Sequence, residues 1–367
     1  MLRILQAVVL MVGLLAACSL ITFGVLFVVT GGSVGSTLQT ALLRVQLASR
    51  EAELNTPADP NGRLVRFTIA PGDTPQIIAR NLERMGLIRD VDLFVAYLRV
   101  EGLDTRIQAT TYFLTPAQTI PQIAATIIDS RNSSITFRVI EGWRLEEIAA
   151  AVDADPRFAF TGADFLAATS DTALLPSELF EQIQAPRGVS LEGFMAPDTY
   201  SLPPDITAAE LRDTFIRRFL EQLRPEDLAA VSAKGFTLRD VVTLASIVER
   251  ESVWPEENAR IAGVYLNRLA IGMPLQADPT VQYGLNGSRG TWWPQITQAD
   301  YQAVISPYNT YRISGLPPGP IANPSRSALL ATIYPESTPY LYFRARCDGS
   351  LYHNFAVTYA EHLANSC

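Results

Sequence analysis

The chain has 367 residues, a formal net charge of −8 and 48% hydrophobic residues, enough to build a large core divided among two or three units. The negative charge and the lack of a lysine and arginine cluster argue against nucleic acid as a partner and against a polybasic membrane patch. The sequence contains no P-loop, C-x-x-C or H-E-x-x-H motif, so we expect no nucleotide, metal or redox cofactor.

An apolar segment near the start is long enough to cross a membrane. Residues 4–30 carry no charge and are almost wholly apolar, whereas about 20 apolar residues suffice to cross a bilayer. Residues 15–18, Leu-Ala-Ala-Cys, resemble a lipoprotein cleavage site, but the apolar run continues past them. We therefore predict an uncleaved single transmembrane helix over residues 1–32 and a juxtamembrane linker over residues 33–62.

A short pattern then occurs twice, 70 residues apart, as a strand, a glycine turn and the start of a helix. Superposing Gly72 on Gly142 brings the two copies into register. It also aligns Phe67 with Phe137. The order resembles a LysM-like βααβ module, a small unit that often binds N-acetylated glycans, although a scaffold role is at least as well supported. We assign residues 63–185 to this LysM-like region.

The start signal formed by Thr237 and Asp240 predicts an amphipathic helix. Its buried face is given by side chains spaced four and three positions apart, Leu238, Val242 and Ala245. Glu249 continues this row, whereas Glu251 lies about 200° further round, so we expect Glu251 to face water or a partner. Burial should therefore raise the pKa of Glu249 alone, as a general acid requires. A structural glutamate at the helix edge is the more common case.

The last part of the chain predicts a hairpin around the tight-turn signal Asp348-Gly349, followed by a short helix. Cys347 and Cys367 lie in the same region. They pair if this region lies in an oxidising compartment, and two free thiols are an equally supported alternative.

Several segments, in the same order, resemble the endolytic murein transglycosylase (YceG-like) family. They are LEGF at 191–194, PDTY at 197–200, ASIVERE at 245–251, NRL at 267–269, LQADPTV at 275–281, YNTY at 308–311, GLPPGPI at 315–321, PYLYF at 339–343 and HNF at 353–355. With the anchor and the LysM-like region, the resemblance covers nearly the whole chain. It implies an α+β fold whose mixed α/β catalytic domain spans residues 186–367.

The resemblance also implies a function. Members of this family are held in the bacterial cytoplasmic membrane by one span, with the bulk of the chain on the periplasmic, wall side. They act as lytic transglycosylases on peptidoglycan, cutting the MurNAc-β-1,4-GlcNAc bond inside nascent glycan strands and leaving 1,6-anhydro-MurNAc ends. Such cleavage would end strand elongation, and wall-synthesis enzymes in the membrane are the implied protein partners. Glu249 matches the family's catalytic glutamate.

We predict substrate-binding roles for five further residues: Glu192, Gln276, Asp278, Asn309 and Tyr311. A loop-capping or turn-forming role is about equally supported for each. Four aromatic residues are candidates for stacking on sugar rings, although such side chains more often fill a core: Trp292, Trp293, Tyr301 and Tyr308. We expect a structural role for His353.

Most glycosidases need two carboxylates, one as the acid and one to attack or to activate water. In a lytic reaction the 6-hydroxyl of the substrate attacks instead, so Glu249 alone would serve as acid and then as base. Two alternatives stay open. One is a hydrolytic muramidase that pairs Glu249 with Asp278 or Glu192. The other is a non-catalytic, membrane-anchored scaffold that binds the wall.

Overall fold

The computed structural model describes residues 34–367, with side chains from residue 39 onward. The predicted transmembrane helix over residues 1–32 lies outside the described residues. Within the described range, no helix is both long and apolar enough to span a bilayer. The chain divides into two compact units between residues 134 and 135.

The first unit is a βααβ arrangement flanked by helices. Its elements are α1 (Val34–Ser49), α2 (Glu51–Leu54), β1 (Val65–Thr68), α3 (Pro75–Arg84), α4 (Val91–Val100), β2 (Thr111–Leu114) and α5 (Ile120–Ile127). The strands pair antiparallel, with Phe67 opposite Tyr112. Helices α3 and α4 start where short polar side chains cap free backbone N–H groups, at Thr74 and Asp90. Their apolar faces and both strands enclose one hydrophobic core.

The second unit opens with the same order of elements. They are β3 (Ile135–Val139), α6 (Leu145–Ala154), α7 (Gly162–Thr169), α8 (Ser177–Ile183) and β4 (Asp198–Leu202). Strands β3 and β4 pair antiparallel, with Phe137 opposite Tyr200, just as Phe67 lies opposite a tyrosine. Both copies of the predicted repeat fold as helices between two paired strands, with one additional helix in the second copy. The likeness of either copy to a glycan-binding LysM module stays a prediction.

The second copy of the repeat belongs to the same compact unit as the rest of the chain. We placed the boundary between the LysM-like and catalytic regions after residue 185, whereas the compact units divide at residue 134. The second unit begins as early as residue 135 because β3 pairs with β4, and this pairing joins segments about 60 residues apart. A local sequence pattern predicts a strand but does not identify its partner.

The remainder of the second unit is mainly helical. It comprises α9 (Ala208–Glu221), α10 (Pro225–Ala233), α11 (Leu238–Glu251), α12 (Asn258–Ala270), α13 (Asp278–Leu285), α14 (Asp300–Ala303), α15 (Arg326–Ile333), β5 (Tyr342–Ala345), β6 (His353–Ala356) and α16 (Tyr359–Ala364). The predicted start of α11 is confirmed, because Thr237 and Asp240 form a reciprocal capping box. Strands β5 and β6 form the predicted hairpin. The fold is α+β, as expected.

Helix α11 lies at the centre of this unit and packs against α12 and α15. The apolar residues that predicted it are fully buried: Leu238, Val242 and Ala245. Burying a leucine or valine side chain contributes roughly 1.5–3 kcal/mol, so this helix is a major source of stability. Gly193 lets the loop before β4 reach α11, since a Cβ on Gly193 would lie 2.7 Å from Cγ1 of Val242.

Cys347 and Cys367 form a disulfide that joins the start of the β5–β6 turn to the end of the chain, with a Cα–Cα distance of 5.5 Å. Of the two alternatives left open by the sequence, the structure therefore has the paired form. The bond closes a loop with a sequence separation of 20 residues.

Removing this disulfide should destabilise the second unit. In the chain-entropy view, closing a loop of this length contributes about 3 kcal/mol. We expect the Cys347→Ser/Cys367→Ser variant to lose about that much free energy of unfolding in urea titrations. A reducing agent should weaken the wild type similarly and leave the double variant unchanged. A wild type insensitive to the reducing agent would contradict this prediction.

Candidate active site

Two carboxylates at the end of α11 lie in different surroundings. Glu249 faces the start of α15, where its Oε2 accepts hydrogen bonds from the backbone N–H of Ser325, at 2.9 Å, and from the Ser325 hydroxyl. Ser325 is also the N-cap of α15. Burial raises the pKa of Glu249, as predicted, while the two Ser325 bonds oppose that rise and the charge of Glu141 adds to it. Glu249 thus joins α11 to α15.

The segment before Ser325 is fixed by a fully buried asparagine, Asn323. Its backbone N–H and its side-chain amide both donate to the carbonyl of Trp143, and its side-chain oxygen accepts from the N–H of Met195. The amide also donates to Oε1 of Glu192, at 3.1 Å. Neither Asn323 nor Ser325 was predicted as a site residue, although Ser325 before an apolar run is a recognisable helix-start signal.

Glu192 belongs to this buried network. The residue is only 3% exposed, and its Oε2 accepts from the backbone N–H of Leu145, at 3.2 Å. Burial raises the pKa of Glu192 to about 8, so the group is largely protonated at neutral pH. Its connection to Glu249 runs through Asn323 and Ser325, because Glu192 bonds Asn323 and Ser325 bonds Glu249.

Glu251 has the more strongly perturbed carboxyl group. Its Oε1 accepts a hydrogen bond from the hydroxyl of Tyr265, at 2.7 Å. Burial raises the pKa of Glu251 to about 7, the charge of Asp278 contributes to the rise, and Tyr265 and Arg268 oppose it. Our expectation that Glu251 faces water was wrong, as was the inference that only Glu249 is desolvated. Helical periodicity gives the direction of a side chain, but helix α12, which carries Tyr265, covers that direction only in the folded chain.

Two of the predicted binding residues meet on the side of Glu251. The hydroxyl of Tyr311 donates to Oδ1 of Asp278, at 2.6 Å, and the hydroxyl of Tyr301 lies 3.5 Å from Oδ2. The rings of Tyr301 and Tyr311 stack 3.9 Å apart and nearly parallel. Burial and the adjacent Asp278 carboxylate raise the pKa of Tyr311, which keeps its hydroxyl protonated as a donor. The charge of Asp278 acts on Glu251, so these groups form one electrostatic cluster.

The other two predicted binding residues differ in exposure. Gln276 has an exposed side chain and a backbone φ of 52°, a left-handed conformation that costs a residue other than glycine energy and is often found at functional sites. Asn309 is fully buried and donates to the carbonyls of Tyr301, at 3.0 Å, and Val304, at 2.8 Å. It therefore shapes the loop that carries Tyr311, whereas Gln276 is open to a ligand.

Two of the four candidate stacking residues have an arginine against the ring. The guanidinium carbon of Arg144 lies 4.7 Å from the centre of the Trp292 ring, and that of Arg250 lies 3.9 Å from the Trp293 ring. Tyr308 packs against Tyr283, with ring centres 4.6 Å apart. These contacts rigidify the region beside α11 and use ring surface that a sugar would otherwise cover.

His353 has the structural surroundings we expected. Its ring lies 2.8 Å from the carboxylate of Glu257, and both residues are buried. Within residues 34–367 the structure has no group of three or more histidine, cysteine, aspartate or glutamate side chains able to hold a metal ion.

Glu251 has the properties of a general acid–base. A pKa of about 7 allows the carboxyl group to release and recover a proton near neutral pH. Oε1 is oriented by Tyr265, and no hydrogen bond to Oε2 occurs among the described residues. Asp278, Tyr311 and the exposed Gln276 supply further hydrogen-bonding groups. This arrangement suits acid–base chemistry.

Comparison with known proteins gives the family. The model of the YceG-like family matches residues 67–366, and the chain belongs to that family. An endolytic murein transglycosylase of Bacillus subtilis (strain 168) is 28% identical over 315 residues, covering 81% of this chain and 82% of the relative. One of Streptococcus pneumoniae (strain D39) is 28% identical over 321 residues, and the match spans 57% of that longer protein. A solved structure of a yceG-like protein from Listeria monocytogenes has a TM-score of 0.55 at 28% identity, covering 83% of this chain and 99% of that one.

Two substitutions should move the pKa of Glu251 in opposite directions. Tyr265→Phe removes a hydrogen bond that favours the carboxylate, so the pKa should rise above about 7. Asp278→Asn removes a charge that disfavours the carboxylate, so the pKa should fall. Carboxyl ¹³C NMR titrations measure both, with the Glu251 resonance assigned by its loss in Glu251→Gln. Shifts of the same sign in both variants would refute this account of the site.

Proposed function

We propose that this chain is a lytic transglycosylase that cleaves the MurNAc-β-1,4-GlcNAc bond within glycan strands of peptidoglycan. Family membership supports this, as do relatives named endolytic murein transglycosylase. The single observation that carries the proposal is the Glu251 carboxyl group, which has a pKa of about 7 and lies beside Asp278 and Tyr265. A lone acid–base of this kind is what the reaction requires.

In the proposed mechanism, protonated Glu251 donates its proton to the O4 oxygen of the leaving GlcNAc as the C1–O4 bond breaks. The 6-hydroxyl of the same MurNAc attacks C1, and the Glu251 carboxylate takes the hydroxyl proton as the C1–O6 bond forms. The 1,6-anhydro end results, and Glu251 returns to its protonated state. Because the nucleophile belongs to the substrate, its effective concentration is high and no second carboxylate is needed. Tyr265 keeps the carboxyl group oriented through both steps.

We assign this role to Glu251, with Glu249, the residue matched by the family resemblance, as the rival. The carboxylate of Glu249 is held by two donors of Ser325 at the N-terminus of α15, where the helix dipole also favours negative charge. Those contacts suit a structural role that links α11 to α15. Within the described residues, Glu251 instead accepts one hydrogen bond, from Tyr265. Its carboxyl group lies on the side of α11 where Asp278 and Tyr311 are found.

Hydrolysis is a second candidate, because Asp278 is a carboxylate whose charge acts on Glu251. In a hydrolytic muramidase, Asp278 would activate water or attack C1. The hydroxyls of Tyr311 and Tyr301 lie against the two oxygens of Asp278, which favours a positioning role and the lytic route. A non-catalytic wall-binding scaffold would need neither carboxyl group.

We also propose that residues 1–32 anchor the chain in the bacterial cytoplasmic membrane and that the rest lies on the periplasmic, wall side. The apolar, uncharged residues 4–30 support the anchor, and the Cys347–Cys367 disulfide suits an oxidising compartment. Cleavage there would end strand elongation, with wall-synthesis enzymes in the membrane as protein partners. The LysM-like region would supply a further contact to the glycan.

The assignment predicts unequal effects of two matched substitutions. Glu251→Gln should lower kcat for cleavage of purified glycan strands by about 10²–10⁴-fold, because the proton donor is lost. Glu249→Gln keeps an oxygen that can accept from Ser325, so kcat should fall less than about 10-fold. The assay uses full-length protein in detergent, with strand ends identified by mass spectrometry.

Each result has a distinct meaning. Internal 1,6-anhydro ends that disappear in Glu251→Gln support the lytic enzyme, whereas reducing ends would favour hydrolysis with Asp278. Greater loss of kcat in Glu249→Gln would return the role to Glu249. Cleavage absent from the wild type, with strand binding retained, would favour the scaffold.

A further inference from the structure

Three side chains form a stack beside the end of α11. The guanidinium carbon of Arg346 lies 5.4 Å from the centre of the Tyr352 ring. The Tyr352 ring in turn stacks on Trp254, with centres 5.3 Å apart and planes 11° from parallel. Tyr352 is therefore covered by Arg346 and by Trp254. Trp254 has one covered face and is still 38% exposed, so its second face is open to solvent.

The stack is held rigidly. The indole N–H of Trp254 donates to the carbonyl of Ser350, at 2.8 Å, and the hydroxyl of Tyr352 donates to the carboxylate of Glu256. Leu351 stands between Ser350 and Tyr352 in the chain; it is exposed and has a left-handed φ of 65°. Such a conformation is strained for a leucine, and strain of this kind clusters at functional sites. An aromatic face fixed in this way loses little entropy when a ligand covers it.

Trp254 is also close to the proposed acid–base. Only Ser252 and Val253 separate it from Glu251, so the two Cα atoms lie no more than about 11 Å apart. That span is within the length of a short oligosaccharide. A glycan strand that places one bond at Glu251 therefore has a neighbouring sugar within reach of Trp254.

We propose that the open face of Trp254 is a sugar-binding subsite, on which the apolar face of an N-acetylhexosamine ring lies as the next layer of the stack. Sugar rings have a C–H face that packs on aromatic rings. The charged groups of Arg346 and Glu256, which both contact Tyr352, lie in the same cluster and could bond hydroxyl and acetamido groups. The identity of the strand rests on the function proposed above. The tryptophans at 292 and 293, which were stacking candidates in the sequence, each have an arginine against the ring.

The test uses chitotetraose, a tetramer of N-acetylglucosamine, with full-length protein in detergent carrying Glu251→Gln to prevent turnover. Isothermal titration calorimetry should give a Kd about 5-fold higher when Trp254→Ala is added, as expected for loss of one aromatic contact. Trp254→Phe should give an intermediate value. Tyr359→Ala is the control, because Tyr359 is 59% exposed and lies on α16, outside the proposed site.

Fluorescence provides a second reading if Trp254→Ala does not fold. Chitotetraose should change the tryptophan emission of the parent protein, and that change should be lost in Trp254→Phe. An unchanged Kd in both Trp254 variants would overturn the subsite, as would an equal loss in Tyr359→Ala. If chitotetraose binding depends on Trp254 but the wild type cleaves no glycan strands, the subsite is supported and the proposed function is refuted.

Discussion

Helix α11 imposes the constraint on which the rest of the second unit depends. Its apolar residues are fully buried, yet its last turn carries two glutamates whose carboxyl groups are expensive to remove from water unless they are paired or protonated. The fold satisfies the two groups differently. Glu249 is paired with donors of Ser325, whereas Glu251 receives one hydrogen bond from Tyr265 and has a pKa of about 7. One helix end thereby contains two buried carboxyl groups with different partners.

The anchoring contact extends well beyond α11. Ser325 is held in place because Asn323 bonds the turn at Trp143 and the loop at Met195, and because the backbone N–H of Ile321 donates to the hydroxyl of Ser246 on α11. Three distant segments therefore meet at a buried strap of residues 321–325. A strap fixed at both ends holds α15 against α11, and it limits how far the last turn of α11 can move. The role proposed for Glu251 benefits from this rigidity, since a general acid must stay within hydrogen-bonding distance of its substrate.

Much of the fold was predictable because its signals are local. The capping box at Thr237, the apolar row of α11 and the tight turn at Gly349 each depend on neighbouring residues, and the structure has the expected element in each place. The internal repeat was recognisable because both copies keep the same strand and glycine turn. The unit boundary at residue 134 was missed, because it depends on which strands pair across about 60 residues.

The sequence by itself determined that α11 forms, which of its sides is apolar, and that its end carries two carboxyl groups on different sides. It also identified Asp278 and Tyr311 as candidate binding residues, and the two form a hydrogen bond in the structure. Only the tertiary structure decided that Glu251 is desolvated and that Asp278 acts on it. The reason is physical: helical periodicity is fixed by local backbone geometry, whereas a pKa depends on the solvent and charges that distant parts of the chain exclude or supply.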